Sequence, residues 1–287
     1  MVSVSTGEFV RDGHRLVYDD YGSGPRPFVL LPGLLLPRTM HRPLAQALAE
    51  RGNRVITLDF LGHGESDRPR DMWRYSMPLL GAQTVALMDH LELDEAVVGG
   101  TSLGANVTLE AAALAPKRMR GLVVEMPVLD NALLACAVVF TPPLVALTIG
   151  EPVMRVVSKV ASRIPRGLAH LVDVGLDWIS QDPAPSAAVL QGLFFDRFAP
   201  PRSERSKIET RALVIGHTRD PVHPFSDSDM LVRELRNGRL IEANSILELR
   251  LAPARLTGEI AAFLDECWRT GGRAAKDEPD AGRLASA

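Results

Sequence analysis

Short runs of apolar residues recur through the first half of the chain, and each leads into glycine, proline or aspartate. Residues 28–31 stop at Pro32-Gly33, 55–58 at Asp59, 96–98 at Gly99-Gly100, and 121–125 at Met126-Pro127. Runs this short that are apolar on both faces predict central strands of a parallel sheet covered on both sides. Helical spacing fills the intervals, at about 43–51, 77–91 and 102–115. Strand and helix alternating in this way predict right-handed βαβ crossovers. The fold class is therefore α/β, with a doubly wound, mostly parallel sheet.

The alternation stops after residue 127. Residues 128–207 hold no convincing strand and are dense in proline, leucine, valine and alanine, which predicts a helical insertion. Within it, 132–149 is 18 residues without a charge, near the lower length limit for a membrane span. Pro142-Pro143 interrupts its middle and removes two backbone donors. The stretch is thus expected to form a pair of buried or pocket-lining helices, not a span. The rhythm resumes with a strand at 211–216, a helix near 226–236, a strand at 239–242 and a last helix from 253 to about 268. Residues 1–127 and 208–269 are expected to form one core around the insertion. Residues 270–287 are polar and broken by glycine and proline, which predicts a disordered tail.

Composition narrows what this fold serves. With 46% hydrophobic and 23% charged residues in 287, the chain is globular. Its net charge of −3 lacks the basic footprint of nucleic-acid binding. Cys136 and Cys267, the only cysteines, are too few for a disulfide framework and have no zinc-site spacing, so no metal or cofactor is expected. The first residues show no basic cluster followed by an apolar core, so a cytoplasmic location is expected.

One segment carries chemistry. Gly100-Thr101-Ser102-Leu103-Gly104 follows the strand at 96–98 directly and opens the helix at 102–115. A serine there stands on a turn so tight that small residues must flank it. Such a turn lifts the hydroxyl above the sheet and sets the following N–H groups at a helix N-terminus, ready for an oxyanion. The competing structural reading makes Ser102 a helix N-cap with packing glycines.

This motif and three further segments resemble the α/β-hydrolase superfamily over nearly all of residues 8–268. Leu30-Leu31-Pro32-Gly33-Leu34 is similar to its strand-to-loop segment His-Gly-X, although Pro32 stands where histidine is usual. Asp59-Phe60-Leu61-Gly62-His63-Gly64-Glu65-Ser66 resembles its D-x-x-G-x-G-x-S turn. Residues 214–222, with Asp220 followed by Pro221, resemble the strand and loop that carry the acid. The resemblance implies Ser102 as nucleophile, Asp220 as acid, and the N–H groups of Leu34 and Leu103 as an oxyanion hole. It also implies that 128–207 is a helical cap over the pocket.

The base departs from the superfamily's pattern. Where Gly-His is usual after the last strand, this chain reads Glu242-Ala243-Asn244-Ser245. Neither Asn244 nor Ser245 takes a proton from serine near neutral pH. His217 and His223 flank Asp220, and either imidazole is a candidate base. In the superfamily's strand order, the strands bearing Ser102 and Asp220 lie two positions apart, a gap of about 10 Å. His41, beside the oxyanion loop, and His170, in the insertion, are candidates to face the pocket. His14, His63 and His90 read as structural or surface residues. Glu125 and Asp130 offer an alternative acid position, and Asp227 with Asp229 suits the positive end of a helix dipole.

Two functional readings follow. The first is a serine-dependent hydrolase of a small hydrophobic ester, lactone or amide, with Phe140, Phe194, Phe195 and Phe198 lining an apolar pocket. The second, motivated by Asn244, is a catalytically impaired or non-hydrolytic protein of the same fold, either a small-molecule binder or a lyase or isomerase. Both imply a small hydrophobic molecule as partner, no nucleic acid and no membrane span. Oligomeric state stays open.

Overall fold

The computed structural model describes residues 2–167 and 169–269, so the tail expected at 270–287 lies outside the described residues. Eight strands make one sheet: β1 (Val4–Arg11), β2 (His14–Tyr21), β3 (Pro27–Leu31), β4 (Arg54–Asp59), β5 (Ala96–Thr101), β6 (Met119–Glu125), β7 (Ala212–His217) and β8 (Gly238–Ala243). Their order in space is β1-β2-β4-β3-β5-β6-β7-β8. Pairings from β4 onward through β3 to β8 are parallel, and β1–β2 and β2–β4 are antiparallel. The fold is the doubly wound, mostly parallel sheet that the apolar runs predict, with an antiparallel hairpin added at one edge. Nothing in the apolar pattern predicts β1, whose outer residues are exposed.

Helices follow in the order α1 (Arg42–Ala49), α2 (Met77–His90), α3 (Leu103–Leu114), α4 (Leu133–Thr148), α5 (Glu151–Ala161) and α6 (His170–Ile179). Then come α7 (Pro183–Phe194), α8 (Arg202–Arg205), α9 (Phe225–Glu234), α10 (Glu248–Leu251) and α11 (Ala254–Arg269). Two cores form because strand side chains alternate between faces. Phe28, Leu30, Val97, Val123 and Ile215 pack with Leu48 of α1 and Ile260 and Leu264 of α11. Val29, Leu31, Val98, Val124 and Val214 pack with Leu87 of α2, Leu109 of α3 and Leu231 of α9.

Strand order places the site. From β3 the chain moves outward to β4, then crosses back over β3 to β5, so winding direction reverses between β3 and β5. Ligands on such sheets bind outside the carboxyl strand ends at that reversal. Register aligns those ends: Leu31 opposite Gly100, Thr101 opposite Glu125, Glu125 opposite Ile215, and His217 opposite Ala243.

Between β6 and β7 the chain is helical, and of the buried or pocket-lining helix pair expected at 132–149 the pocket lining is found, through Cys136 and Phe140, but not the pair. A single helix, α4, runs through Pro142-Pro143. Each proline ring fixes φ near −65°, itself a helical value, so two donors are lost but the helical path is kept. Thr141 Oγ and Thr148 Oγ donate to the carbonyls of Ala137 and Leu144 on the same helix. Nor is the stretch buried. Of α4 only Cys136 is fully enclosed, while Leu134 is 77% and nearby Ile149 80% exposed. The chain bends by 95° into α5. Among the described residues, no single helix is long and apolar enough to cross a membrane.

Candidate active site

The β5–α3 junction is the tightest turn in the site. Ser102 has φ 56° and ψ −111°, outside the regions comfortable for a side-chain-bearing residue. Its N–H donates to the Glu125 carbonyl at 2.8 Å, and its own carbonyl accepts from Asn106 N–H at 3.1 Å, the first turn of α3. Glycine is obligatory beside it because backbones meet there. A Cβ on Gly100 would lie 2.7 Å from the Leu31 carbonyl oxygen, and one on Gly104 would strike the carbonyls of Leu31 and Pro32. Ser102 Oγ caps nothing in α3, so the N-cap reading fails.

That hydroxyl instead meets an imidazole. Ser102 Oγ lies 2.9 Å from His223 Nε2. His223 Nδ1 donates to Asp220 Oδ2 at 2.8 Å, which leaves Nε2 to accept from the serine. Asp220 Oδ1 takes the N–H groups of Val222 and His223 at 2.8 and 2.9 Å, tightening the 218–224 loop into the turn its two prolines favour. Burial pushes the Asp220 carboxyl up, but these donors outweigh it and hold the group below its ordinary value.

Of the two candidate bases, the structure brings His223 and not His217 to Ser102. His217 is buried at the end of β7, where Nδ1 donates to the Ser245 carbonyl at 3.0 Å. Its Nε2 lies 3.7 Å from Glu125 Oε1. Glu125, the alternative acid, belongs to that second cluster: Arg250 Nη2 reaches its Oε2 at 2.9 Å, and Thr101 Oγ donates to the same oxygen. Burial alone would raise the Glu125 carboxyl, yet Arg250, with His217 and Thr101, holds it far below the ordinary range. Asp130 pairs with Arg205 at 3.2 Å and takes no part in the site.

Asn244 and Ser245, at the position where the superfamily's histidine is expected, are exposed, with the Asn244 N–H donating to Glu248. His41 and His170 do not reach Ser102. His41 Nε2 bonds the Leu31 carbonyl at 2.9 Å, and burial pushes its pKa down to about 4. His170 Nε2 bonds the Met40 carbonyl at 3.0 Å. His63 is fully buried in the Asp59–Ser66 turn, also pushed down to about 4 by burial. Ser66 Oγ donates there to the Asp59 carbonyl at 2.6 Å, so the turn is a structural brace.

Above Ser102 opens a small apolar pocket walled by Leu34, Met77, Leu103, Phe140, Leu193 and Phe198, among others. Phe194 and Phe198 meet edge to face, centroids 6.3 Å apart. Phe195 does not line it: the α7 terminus turns its ring outward, 77% exposed. Cys136 faces the cavity, but burial, with Asp227 and Asp220 nearby, pushes its thiol up to about 11, so it is not a thiolate near neutrality.

Two residues hold the cavity's walls: Asn106, which sequence reasoning misses, and Asp227, which it reads only as a helix-dipole residue. Asn106 Nδ2 donates to the carbonyls of Val128 and Phe198 at 2.7 and 2.6 Å, and its Oδ1 accepts from Val128 N–H at 3.0 Å. Asp227 is fully buried and accepts from the N–H groups of Leu129, Asn131 and Ala132 at 2.7 to 3.1 Å. Its task is therefore to fasten the chain entering α4, beyond the helix-dipole role. A polar residue one turn into a buried helix was the available signal for Asn106.

Leu103 opens α3, where the first N–H groups have no intrahelical acceptor. Leu34 follows β3 and lines the same cavity.

Comparison with known proteins agrees with this architecture. Residues 26–148 match the family model described as the alpha/beta hydrolase fold. Over 104 residues the chain is 38% identical to the dihydrolipoyllysine-residue acetyltransferase component of the acetoin cleaving system of Pseudomonas putida, covering 35% of this chain and 26% of that protein. It is 34% identical over 131 residues to haloalkane dehalogenase of Mycolicibacterium paratuberculosis, covering 45% of this chain and 42% of that one. The chain thus spans from about a quarter to about two fifths of these relatives' lengths. The solved structure of the enol-lactonase from Burkholderia xenovorans superposes with a TM-score of 0.73 at 22% identity, covering 90% of this chain and 100% of that one. At that identity the likeness is one of fold.

Proposed function

We propose, on the premise that this chain is an α/β-hydrolase-fold protein, that it is a serine-dependent hydrolase of a small hydrophobic ester, lactone or amide. One observation carries the reading: His223 Nε2 stands 2.9 Å from Ser102 Oγ while Nδ1 is held at 2.8 Å by Asp220. The Asn244 position no longer argues for an idle site, because the imidazole comes from the neighbouring loop. Residues 1–127 and 208–269 act as the core and 128–207 as the cap.

The chemistry follows from the geometry. Ser102 Oγ attacks the substrate carbonyl as its proton passes to His223 Nε2. Asp220 fixes the imidazole tautomer and stabilises the imidazolium without becoming protonated. The N–H groups of Leu34 and Leu103 receive the charge developing on the carbonyl oxygen. His223 then protonates the leaving alkoxide or amine, leaving an acyl group on Ser102. Water, deprotonated by His223, attacks that acyl group, and the proton returns to Ser102 as the acid departs. An apolar cavity with few polar contacts favours a short acyl or aromatic group over a charged one.

A fluorophosphonate probe tests this. Labelling is expected on Ser102 of the wild-type protein and absent in Ser102→Ala and His223→Ala. Wild-type protein that takes no label, and cleaves no p-nitrophenyl ester faster than Ser102→Ala does, removes the proposal.

A further inference from the structure

α5 turns three faces to three surroundings. Ser158 and Ala161 are buried, and Ser158 Oγ donates to the Ser180 carbonyl at 2.7 Å. Val153, Val156, Val157, Val160 and Ile164 recur at helical spacing, yet all are exposed, Val153 at 67% and Val156 at 63%. Arg155 and Lys159 form a third row beside the apolar one, and Arg163 continues it in the turn that follows α5. Arg155 pairs with Glu151. Among the described residues, Lys159 and Arg163 have no ion pair with an acid, so their charge is open to an outside partner.

α4, which meets α5 at a 95° bend, also exposes apolar residues. It carries no charged side chain. Leu134, Val138 and Val145 share one helical face and are all exposed. Cys136 and Phe140 lie on the opposite face and wall the Ser102 cavity. Single exposed apolar residues are ordinary, whereas a contiguous surface of them rimmed by cations marks an interaction site.

The charge pattern selects the occupant. Apolar side chains backed by a row of cations match a helix lying in a bilayer interface, valines toward the acyl chains and basic groups level with phosphates. A second copy of this chain is a poorer fit. A two-fold contact sets a patch against itself and would bring Lys159 and Arg163 toward their own counterparts. Among the described residues no single helix is long and apolar enough to cross a membrane, although α4 and α5, bent by 95°, pass that test of length and composition together. We propose that the exposed face of α4 and α5 docks on lipid bilayers bearing anionic headgroups. This goes beyond the hydrolase reading and stands without it.

Cosedimentation of the full chain with vesicles tests the proposal. The wild type is expected to partition onto phosphatidylglycerol vesicles and far less onto phosphatidylcholine vesicles. Removing a cation costs roughly fivefold in partition, so Lys159→Glu/Arg163→Glu is expected to lose at least about 25-fold on phosphatidylglycerol. Val156→Asp/Val160→Asp, at exposed positions that leave the core untouched, is expected to abolish binding to both. Failure of the wild type to sediment with phosphatidylglycerol overturns the proposal, as does undiminished binding by the charge-reversal variant. A wild-type dimer in solution that Val156→Asp/Val160→Asp converts to monomer also overturns it, because a second copy then covers the face. Ester cleavage by Ser102→Ala has no bearing on any of these outcomes.

Discussion

His223 Nδ1 lies 2.8 Å from Asp220 Oδ2, and both residues belong to the loop between β7 and α9. The imidazole and the carboxylate that orients it therefore keep their spacing whatever the last strand does. His217, six residues earlier, is committed to the Ser245 carbonyl and to Glu125 instead. Substitution separates the two. His223→Ala is expected to lower kcat by about 10⁶, the loss seen when a serine hydrolase loses its base. His217→Ala is expected to change kcat less than about tenfold and to cost about 2 kcal/mol of stability, because it deprives Glu125 of a buried partner. Steady-state ester cleavage and urea unfolding of both variants check this.

Asp220→Asn is expected to keep the loop but present a donor where His223 needs an acceptor, so the wrong tautomer faces Ser102. The expected loss in kcat is about 10⁴. Since the wild-type Asp220 carboxyl is held below its ordinary value, it stays ionised where free aspartate begins to protonate. Its protonation is therefore expected to add no acid limb to the kcat profile above about pH 4.

Gly104→Ala tests the turn. The added methyl strikes the Leu31 and Pro32 carbonyls, which are backbone and cannot swing aside. About 2 kcal/mol of destabilisation is expected, despite alanine's better helix propensity, or about 5 °C in Tm. Because Leu31 and Pro32 lead into the loop carrying Leu34, ester cleavage should fall in the same variant.

Stability against pH carries a separate signature. His41 and His63 are buried neutral, with pKa values near 4 against an ordinary value of about 6.5. Between those limits the unfolded chain binds protons that the folded chain cannot, so stability falls as pH falls from about 6.5 to 4. Each contributes up to about 3 kcal/mol to that loss. Urea midpoints at pH 7, 5.5 and 4.5 should decline accordingly, and His63→Gln should flatten the decline.

Much of the sheet was legible because its central strands are apolar on both faces and stop at glycine or proline, as at 28–31 and 96–98. β1 was not, since Ser5, Thr6 and Gly7 on an edge strand carry no such pattern. Ser102 was legible from its two glycines. The choice between His217 and His223 was not, because both flank Asp220 and only backbone direction beyond β7 decides which ring meets the serine. Apolar content also misled at 132–149. Hydrophobicity alone does not say what a helix faces, and α4 turns one side to the cavity and the other outward.

With imidazole and carboxylate both housed in residues 218–224, the proposed proton transfer asks nothing of residues 235–269, where β8 closes the sheet and Arg250 braces it. The proposed acid–base partners thus form one short cassette. Grafting that loop onto a related scaffold is therefore expected to need no re-registering of the terminal strand.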